Sequence, residues 1–319
     1  MTSMKVLSPG PLSTVQDAGR FGYMRSGFSP NGAMDGDSMA LANILVGNPW
    51  GEGVIEMTMM GMRVSFDGDA LIAATGADMA PTLNGEEMPM YQAIAVHPGD
   101  TVCFGAAKSG MRTYLAVAGG FDLPLVMGSM STNLKCALGG FQGRKLQTGD
   151  VIGLRTSFDP ALLGHRQAEP ENDFPATVTV RVLLGPQDDH FTDKGIATFL
   201  GSRYTVSGQS DRMGVRLEGA KIENKNGVDI ISDGVATGSV QIPAAGTPII
   251  MMADRQTTGG YAKIATVISA DLQKIAQARP GTVIRFAAVT EKEALILKKQ
   301  ALNKLAALQY RLFSARWRQ

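Results

Sequence analysis

Cysteine is nearly missing from this chain. Two cysteines in 319 residues, Cys103 and Cys136, exclude a disulfide framework. Both sit in apolar stretches without metal-ligand spacing, so they read as buried free thiols of a reducing compartment. Histidine is as scarce. His97, His165 and His190 are scattered and lack a histidine or cysteine companion at ligand spacing, which excludes an ordinary zinc site. No Gly-x-x-x-x-Gly-Lys-Ser/Thr loop occurs, so the chain has no P-loop for ATP. No Ala-Met-Lys-Met-like hairpin occurs, so no covalent biotin is expected on it. A Gly-x-Ser-x-Gly elbow is also missing. No apolar run has spanning length, and Met1-Thr2-Ser3-Met4-Lys5 leads directly into strand-like sequence, so a cytoplasmic location is expected. Thirty basic against 29 acidic residues leave a net charge of +1, which gives no reason to expect nucleic acid or an acidic membrane as partner.

What is abundant is glycine, with 38 residues, among short apolar runs in a chain that is 44% hydrophobic; that pattern implies many tight turns and a β-rich fold. Strand-like runs include Val64-Ser65-Phe66, Ala70 to Ala74, Ile94-Ala95-Val96, Thr101 to Phe104, Thr113 to Ala118 and Thr177 to Leu184. Asp67-Gly68, Asn84-Gly85 and His97-Pro98-Gly99-Asp100 read as turns between them. Helices are few. One is predicted from Asp37 as N-cap to Val46, stopped by Gly47. Shorter ones are predicted over Thr192–Leu200 and Ala270–Ala278. Glu291 to Phe313 reads as a long basic amphipathic helix with Leu295, Leu302, Leu305 and Leu312 near one face, docked on its own domain or on a sister chain.

The polar, proline-bearing stretch from Asp159 to Pro175 reads as a linker. The segments on either side share an order of elements. Ile55 to Val64 resembles Val240 to Ile249, and Thr14-Val15 before Arg20-Phe21-Gly22 resembles Thr205-Val206 before Arg212-Met213-Gly214. The expected architecture is mainly β with a few helices. Residues 1–165 form an N-terminal β-barrel domain, residues 176–290 a related C-terminal one, and residues 291–319 a terminal amphipathic helix.

The densest polar stretch runs from Ala253 to Lys263 through Asp254, Arg255, Gln256, Thr257, Thr258 and Tyr261, between the strand-like runs Pro248–Met252 and Ile264–Ile268. Polar groups packed between buried strands are costly unless they meet a ligand, a partner or each other. Two readings follow: a site around Arg255 and Lys263, brought together across Gly259-Gly260, or a solvated hairpin loop with an internal Asp254–Arg255 pair. Three further polar segments are Ser13–Tyr23, Ser207–Arg216 and Gly128–Asn133. Arg20, Arg212 and Arg255 can each grip a carboxylate in two-point fashion. Asp17, Asp211 and Asp254 can hold those guanidinium groups or carry protons; the alternative is an internal Asp–Arg lattice pinning Asp17 to Arg20 and Asp211 to Arg212. Lys263, in a partly apolar setting, is a candidate base or a solvated lysine. Met57 to Met62 is methionine-rich and reads as core filler.

These motifs resemble the KipA-like family, also described as biotin-dependent carboxyltransferase or allophanate hydrolase subunit 2-like proteins and commonly assigned as the C subunit of 5-oxoprolinase. The matching pieces run nearly end to end. They include Gly10 to Gly22, Gly32-Ala33-Met34-Asp35, Leu41-Ala42-Asn43, Tyr114 to Gly120, Gly128-Ser129, Gly185-Pro186-Gln187, Ser210 to Gly214 and Ala253 to Tyr261. Phe28-Ser29-Pro30-Asn31 departs from the usual proline-serine version. The resemblance implies cyclophilin-like β-barrel domains. It implies one component of an ATP-dependent 5-oxoprolinase, which opens the lactam of 5-oxoproline to glutamate with a KipI-like B component and a LamB/YcsF-type A component. Relatives also serve as the carboxyltransferase part of urea carboxylase, with biotin arriving on another domain, or as antagonist of a KipI-like kinase inhibitor. On the motif-bearing positions, Arg255, Lys263, Asp254 and Arg20 are the catalytic candidates. Gln16, Asp17, Arg212, Thr257, Thr258 and Tyr261 are the substrate-binding candidates, and no metal ligand is expected.

Overall fold

The computed structural model describes residues 2–155, 166–170, 174–225 and 227–314, without the side chains of Phe313 and Ser314. Most of the linker expected over 159–175, His165 included, lies outside the described residues. Two units are distinguished by their internal contacts. Unit one takes residues 2–20, 31–170 and those from 304 onward; unit two takes Phe21–Pro30 and Phe174–Asn303.

Unit one contains β1 (Ser3–Ser8), β2 (Ser13–Gln16), α1 (Gly36–Val46), β3 (Val54–Thr58), β4 (Arg63–Phe66), β5 (Ala70–Asp78), β6 (Thr82–Leu83), β7 (Glu86–Glu87), β8 (Ala93–Val96), β9 (Thr101–Cys103), β10 (Ser109–Val117) and β11 (Val151–Gly153). They form two sheets, ordered β11-β1-β4-β9-β6-β7 and β2-β3-β10-β5-β8. One apolar cluster, with Met4, Val6, Ile55, Met57, Val64, Phe66, Ile72 and Leu115, draws its side chains from both. A second cluster covers the other face of the five-stranded sheet, where α1 brings Met39, Leu41 and Leu45 onto Leu71, Ala73, Tyr114 and Ala116. That double cover explains why β5 is buried from Ala70 to Ala77 rather than on alternate residues. Each large side chain so buried contributes roughly 1.5–3 kcal/mol.

The N-cap of α1 is Asp35, not Asp37: its carboxylate accepts from the Ser38 amide at 3.0 Å. Asp37 falls one residue inside the helix, and Gly47 ends it in the left-handed region at φ 86°. Asp37 is partly buried, and burial first, then the Asp35 charge, push its carboxyl up to about 6.

Unit two contains β12 (Thr177–Leu184), α2 (Asp193–Gly201), β13 (Tyr204–Val206), β14 (Gly214–Gly219), β15 (Asp229–Gly234), β16 (Ser239–Gln241), β17 (Ile249–Met251), β18 (Thr258–Tyr261), β19 (Lys263–Val267), α3 (Leu272–Gln277) and β20 (Val283–Ala288). Seven strands close a barrel in the order β12-β19-β16-β17-β14-β13-β20. The closing pair, β12 with β20, is parallel. Phe199 of α2 stacks on Phe286 with ring centroids 4.3 Å apart. β15 and β18 stand apart as a two-stranded ribbon. The chain is therefore mainly β with a barrel and, among the described residues, four α-helices.

α4 (Glu291–Ser314) contributes its residues from 304 onward to unit one. There Leu305, Leu308 and Leu312 pack on the α1 cluster, and Trp50 Nε1 donates to Gln309 at 2.8 Å. The expected leucine face is only half used, because Leu295 and Leu302 are exposed. Cys136 is also exposed rather than buried, and Cys103 is half-buried. Met57 and Met62 fill the core as expected, whereas Met59 and Met60 face solvent. Among the described residues no helix is long and apolar enough to cross a membrane.

Candidate functional site

In unit one the first polar segment is mostly strand. Ser13, Thr14, Val15 and Gln16 form β2 and are all buried. Asp17 does not pair with Arg20. Its carboxylate accepts from the hydroxyls of Ser129 and Ser131, from the Met130 amide at 2.6 Å and from the Gly19 amide at 2.8 Å. Arg20 is 1% exposed and donates from Nε to Val126 O, from Nη1 to Asn31 Oδ1 and from Nη2 to Ser131 O. The Gly128–Asn133 segment thus serves as the docking frame for Asp17 and Arg20.

A second polar group lies on one face of the five-stranded sheet. The register pairs Thr14 with Glu56 and Gln16 with Val54, while Tyr114 lies opposite Glu56 and Arg112 opposite Thr58. Cross-strand partners share a face, so Thr14, Gln16, Glu56, Thr58, Arg112 and Tyr114 stand together, and all are buried. Glu56 Oε2 accepts from the Tyr114 hydroxyl at 2.9 Å and from the Met34 amide at 2.8 Å; its Oε1 lies 3.9 Å from Arg112 Nε. Burial first, then the Glu56 charge, push the Tyr114 phenol well above its ordinary value, so it stays protonated and donates. Gln16 Nε2 donates to Thr14 Oγ1 and Thr132 O, but its Oε1 is buried with no donor, as is Thr58 Oγ1.

In unit two the expected hairpin is not present. β17 and β19 do not pair with each other; each pairs with β16. Residues 258–261 instead form β18 against β15. Nor is there an Asp254–Arg255 pair. Asp254 grips Arg212 in two-point fashion, Nε to Oδ2 at 2.9 Å and Nη2 to Oδ1 at 3.0 Å. Asp211, expected to hold Arg212, accepts instead from the amides of Met213 and Gly214. Arg255 is 4% exposed and donates from Nε to Val235 O at 2.7 Å and from Nη1 to Met252 O at 3.3 Å. Its own carbonyl accepts from the Ser29 hydroxyl. Burial alone lowers the guanidinium pKa, and no carboxylate compensates among the described residues.

Lys263 opens β19 with its side chain 2% exposed. Its Nζ donates to Asp233 Oδ2 at 2.8 Å and to Gly234 O at 3.2 Å. Hydrogen bonding from Lys263 holds the Asp233 carboxyl below its ordinary value. Gln187 ties the pair together: its Nε2 donates to Asp233 Oδ2 at 3.3 Å, and its Oε1 accepts from the Lys263 amide at 3.2 Å. Lys263 and Arg255 therefore meet the consecutive carbonyls of Gly234 and Val235, although not across the Gly259-Gly260 turn as expected. Thr257 supplies a carbonyl to the Val235 amide; Thr258 and Tyr261 are exposed on β18. A cleft of about 490 Å³ in unit one, with Asp78, Glu87, Met90 and Lys108 on its walls, includes none of the sequence-predicted residues.

The family model for the carboxyltransferase domain, subdomain A and B, matches residues 26–288. The chain belongs to this family. It is 36% identical over 309 residues to the 5-oxoprolinase C subunit of Escherichia coli (strain K12), covering 97% of this chain and 98% of that protein. It is 39% identical over 295 residues to the 5-oxoprolinase C subunit of Haemophilus influenzae, covering 92% and 94%. Among solved structures, the K. lactis urea amidolyase superposes with a TM-score of 0.87 at 30% identity; the match covers 96% of this chain and 20% of that one.

In this carboxyltransferase-domain chain, the sequence reading missed Glu56, Arg112, Tyr114, Gln187, Asp233 and Gln241. Glu56 and Gln241 sit at the same place in the repeated stretches Ile55–Val64 and Val240–Ile249, which was the one available signal. Gln241 is 2% exposed, and its Nε2 is buried without an acceptor.

Proposed function

We propose that this chain is the C component of an ATP-dependent 5-oxoprolinase, hydrolysing 5-oxo-L-proline to L-glutamate in the cytoplasm together with a KipI-like B component and a LamB/YcsF-type A component. The observation that carries this reading is end-to-end similarity to two 5-oxoprolinase C subunits, over 98% and 94% of their lengths. ATP, bound in the assembly and not by a P-loop in this chain, would supply activation of the lactam oxygen.

The chemistry left to this chain is electrostatic. Water adds to the lactam carbon, the carbon–nitrogen bond breaks, and negative charge gathers on oxygen. Buried, preorganised cations stabilise such charge far better than solvated ones. Arg255 and Lys263 are the groups we assign to it. Asp254 acts through Arg212, whose guanidinium it fixes, and Thr257, Thr258 and Tyr261 border the same ribbon. Gln16, Asp17 and Arg20 shape the frame in unit one.

Reconstitution tests the reading. The chain is purified with its B and A partners, and glutamate formation from 5-oxoproline and ATP is followed. We expect turnover only with all three components. A second reading, carboxyltransferase component of a biotin-dependent urea or amide carboxylase, draws on the likeness to urea amidolyase. An inactive three-component set, with carboxyl transfer from a biotinylated carrier instead, would establish that one.

A further inference from the structure

We propose that Lys263, Arg255 and Gln241 form a binding site for the carboxylate of a small monoanionic ligand, and that the Asp233 carboxylate occupies the ligand's place until it is displaced. The proposal rests on the 5-oxoprolinase reading for the identity of the ligand and on geometry for the site.

Charge is the first argument. Two cations, 2% and 4% exposed, meet adjacent carbonyls of one segment. One carboxylate, that of Asp233, meets Lys263, with its side chain 55% exposed, and among the described residues none meets Arg255. A buried cation needs a counter-charge, so a ligand that displaces Asp233 from Lys263 must bring a carboxylate of its own.

Unmet hydrogen bonding is the second. Gln241 is the cross-strand partner of Lys263 at a register shift between β16 and β19, and its Nε2 lies beneath Gly259 of the ribbon. The buried Gln241 Nε2 has no acceptor. Two of the three Lys263 ammonium hydrogens are engaged, which leaves one more. The set therefore asks for one negative charge and one carbonyl-type acceptor, which 5-oxoproline carries as its carboxylate and its lactam oxygen.

The third argument is the placement of Asp233. It lies on β15 of the ribbon, where Ile231 is 95% exposed and Asp233 is tied down, among the described residues, by Lys263, Gln187 and its own loop. β18 of the same ribbon covers Gln241: a Cβ on Gly259 would come within 2.7 Å of its Nε2. Lifting the ribbon removes Asp233 from Lys263 and uncovers Gln241 together. One carboxylate leaves and another arrives, with no covalent change.

The test compares three variants in the reconstituted complex (KM) and in the full chain (calorimetric Kd), using 5-oxoproline and its neutral analogue 2-pyrrolidinone. Asp233→Asn removes the internal competitor and should tighten 5-oxoproline about threefold or more while leaving 2-pyrrolidinone unchanged. Gln241→Leu should weaken 5-oxoproline about tenfold, the loss expected for one hydrogen bond in a charged site. Asp229→Asn, on the same ribbon but away from Lys263, should change neither ligand and so separates a place-holder from a general gain of positive charge. Weaker or unchanged binding in Asp233→Asn overturns the proposal, as does unchanged binding in Gln241→Leu or an absence of 5-oxoproline binding in both chain and complex. If the wild-type complex makes no glutamate but the chain binds 5-oxoproline in this order of variants, the functional reading falls and the site stands.

Discussion

Arg20 and Arg255 look alike in the sequence and differ in the fold. Each stands four residues beyond the end of a strand, β2 or β17, and each is buried. All three Arg20 nitrogens donate to acceptors fixed by its own unit, two backbone carbonyls and Asn31. Arg255 reaches two carbonyls and no carboxylate among the described residues, and the lysine on the preceding carbonyl, Lys263, has a counter-ion half in solvent. A buried cation with an acceptor at every nitrogen holds a loop together. One with donors in excess is prepared for something that arrives. Residue type and burial are the same; what separates the two is the count of acceptors.

Substituting Arg20 should give the largest loss of stability in this comparison. Arg20→Ala leaves Val126 O, Ser131 O and Asn31 without their donor inside a buried frame that also seats Asp17. The expected cost is about 3–5 kcal/mol, the range for stripping one partner from a buried charged network. That corresponds to a thermal midpoint lower by roughly 10 °C for a unit of this size. A drop below about 3 °C would place Arg20 with Arg255 and remove the distinction.

Asp37 offers a smaller, pH-dependent contrast inside unit one, where a carboxyl is buried without being spent. Its folded pKa is raised to about 6 from an ordinary 3.8, so folding favours the protonated form. The ionised carboxylate therefore destabilises the fold fully above about pH 6, and that penalty fades as pH falls toward 3.8. Asp37→Asn should stabilise the protein by about 1–2 kcal/mol at pH 8 and by almost nothing at pH 4. Denaturant titrations at the two pH values measure this directly, and an equal gain at both would assign the effect to packing.

The sequence made the strands, the helices and the Gly47 stop of α1 legible because each leaves a local trace, an apolar alternation or a cap. Chain neighbours misled where pairing was inferred from adjacency. Asp211 and Arg212, and again Asp254 and Arg255, are consecutive, and consecutive residues in extended chain point apart. The real pair joins Arg212 to Asp254 across 42 positions. The ribbon stayed hidden because β15, Asp229-Ile230-Ile231-Ser232-Asp233-Gly234, is mostly exposed and lacks a two-residue periodicity. Asp233, the partner of Lys263, stayed hidden with it. Glu56 and Gln241 went unnoticed because one polar residue in an apolar strand reads as its solvent face, and only the register shows that the face is covered.

Arg255 should mark the small end of the stability scale and the large end of the functional one. Arg255→Met keeps most of the side-chain volume and gives up two hydrogen bonds to Val235 and Met252. It also removes a cation whose burial nothing opposite compensates, as the lowered guanidinium pKa indicates. Losing two charged donors and relieving one desolvated charge nearly offset each other, so the net change should stay within about 1 kcal/mol, or roughly 3 °C in midpoint. Turnover of the reconstituted complex should nevertheless fall about a hundredfold, since a preorganised cation in a water-poor site is worth that much at the transition state. Lysine should restore only part of it, because a point charge does not reproduce the planar two-donor edge. A variant that loses stability as Arg20→Ala does while keeping its activity would reverse the comparison and move Arg255 into the structural frame.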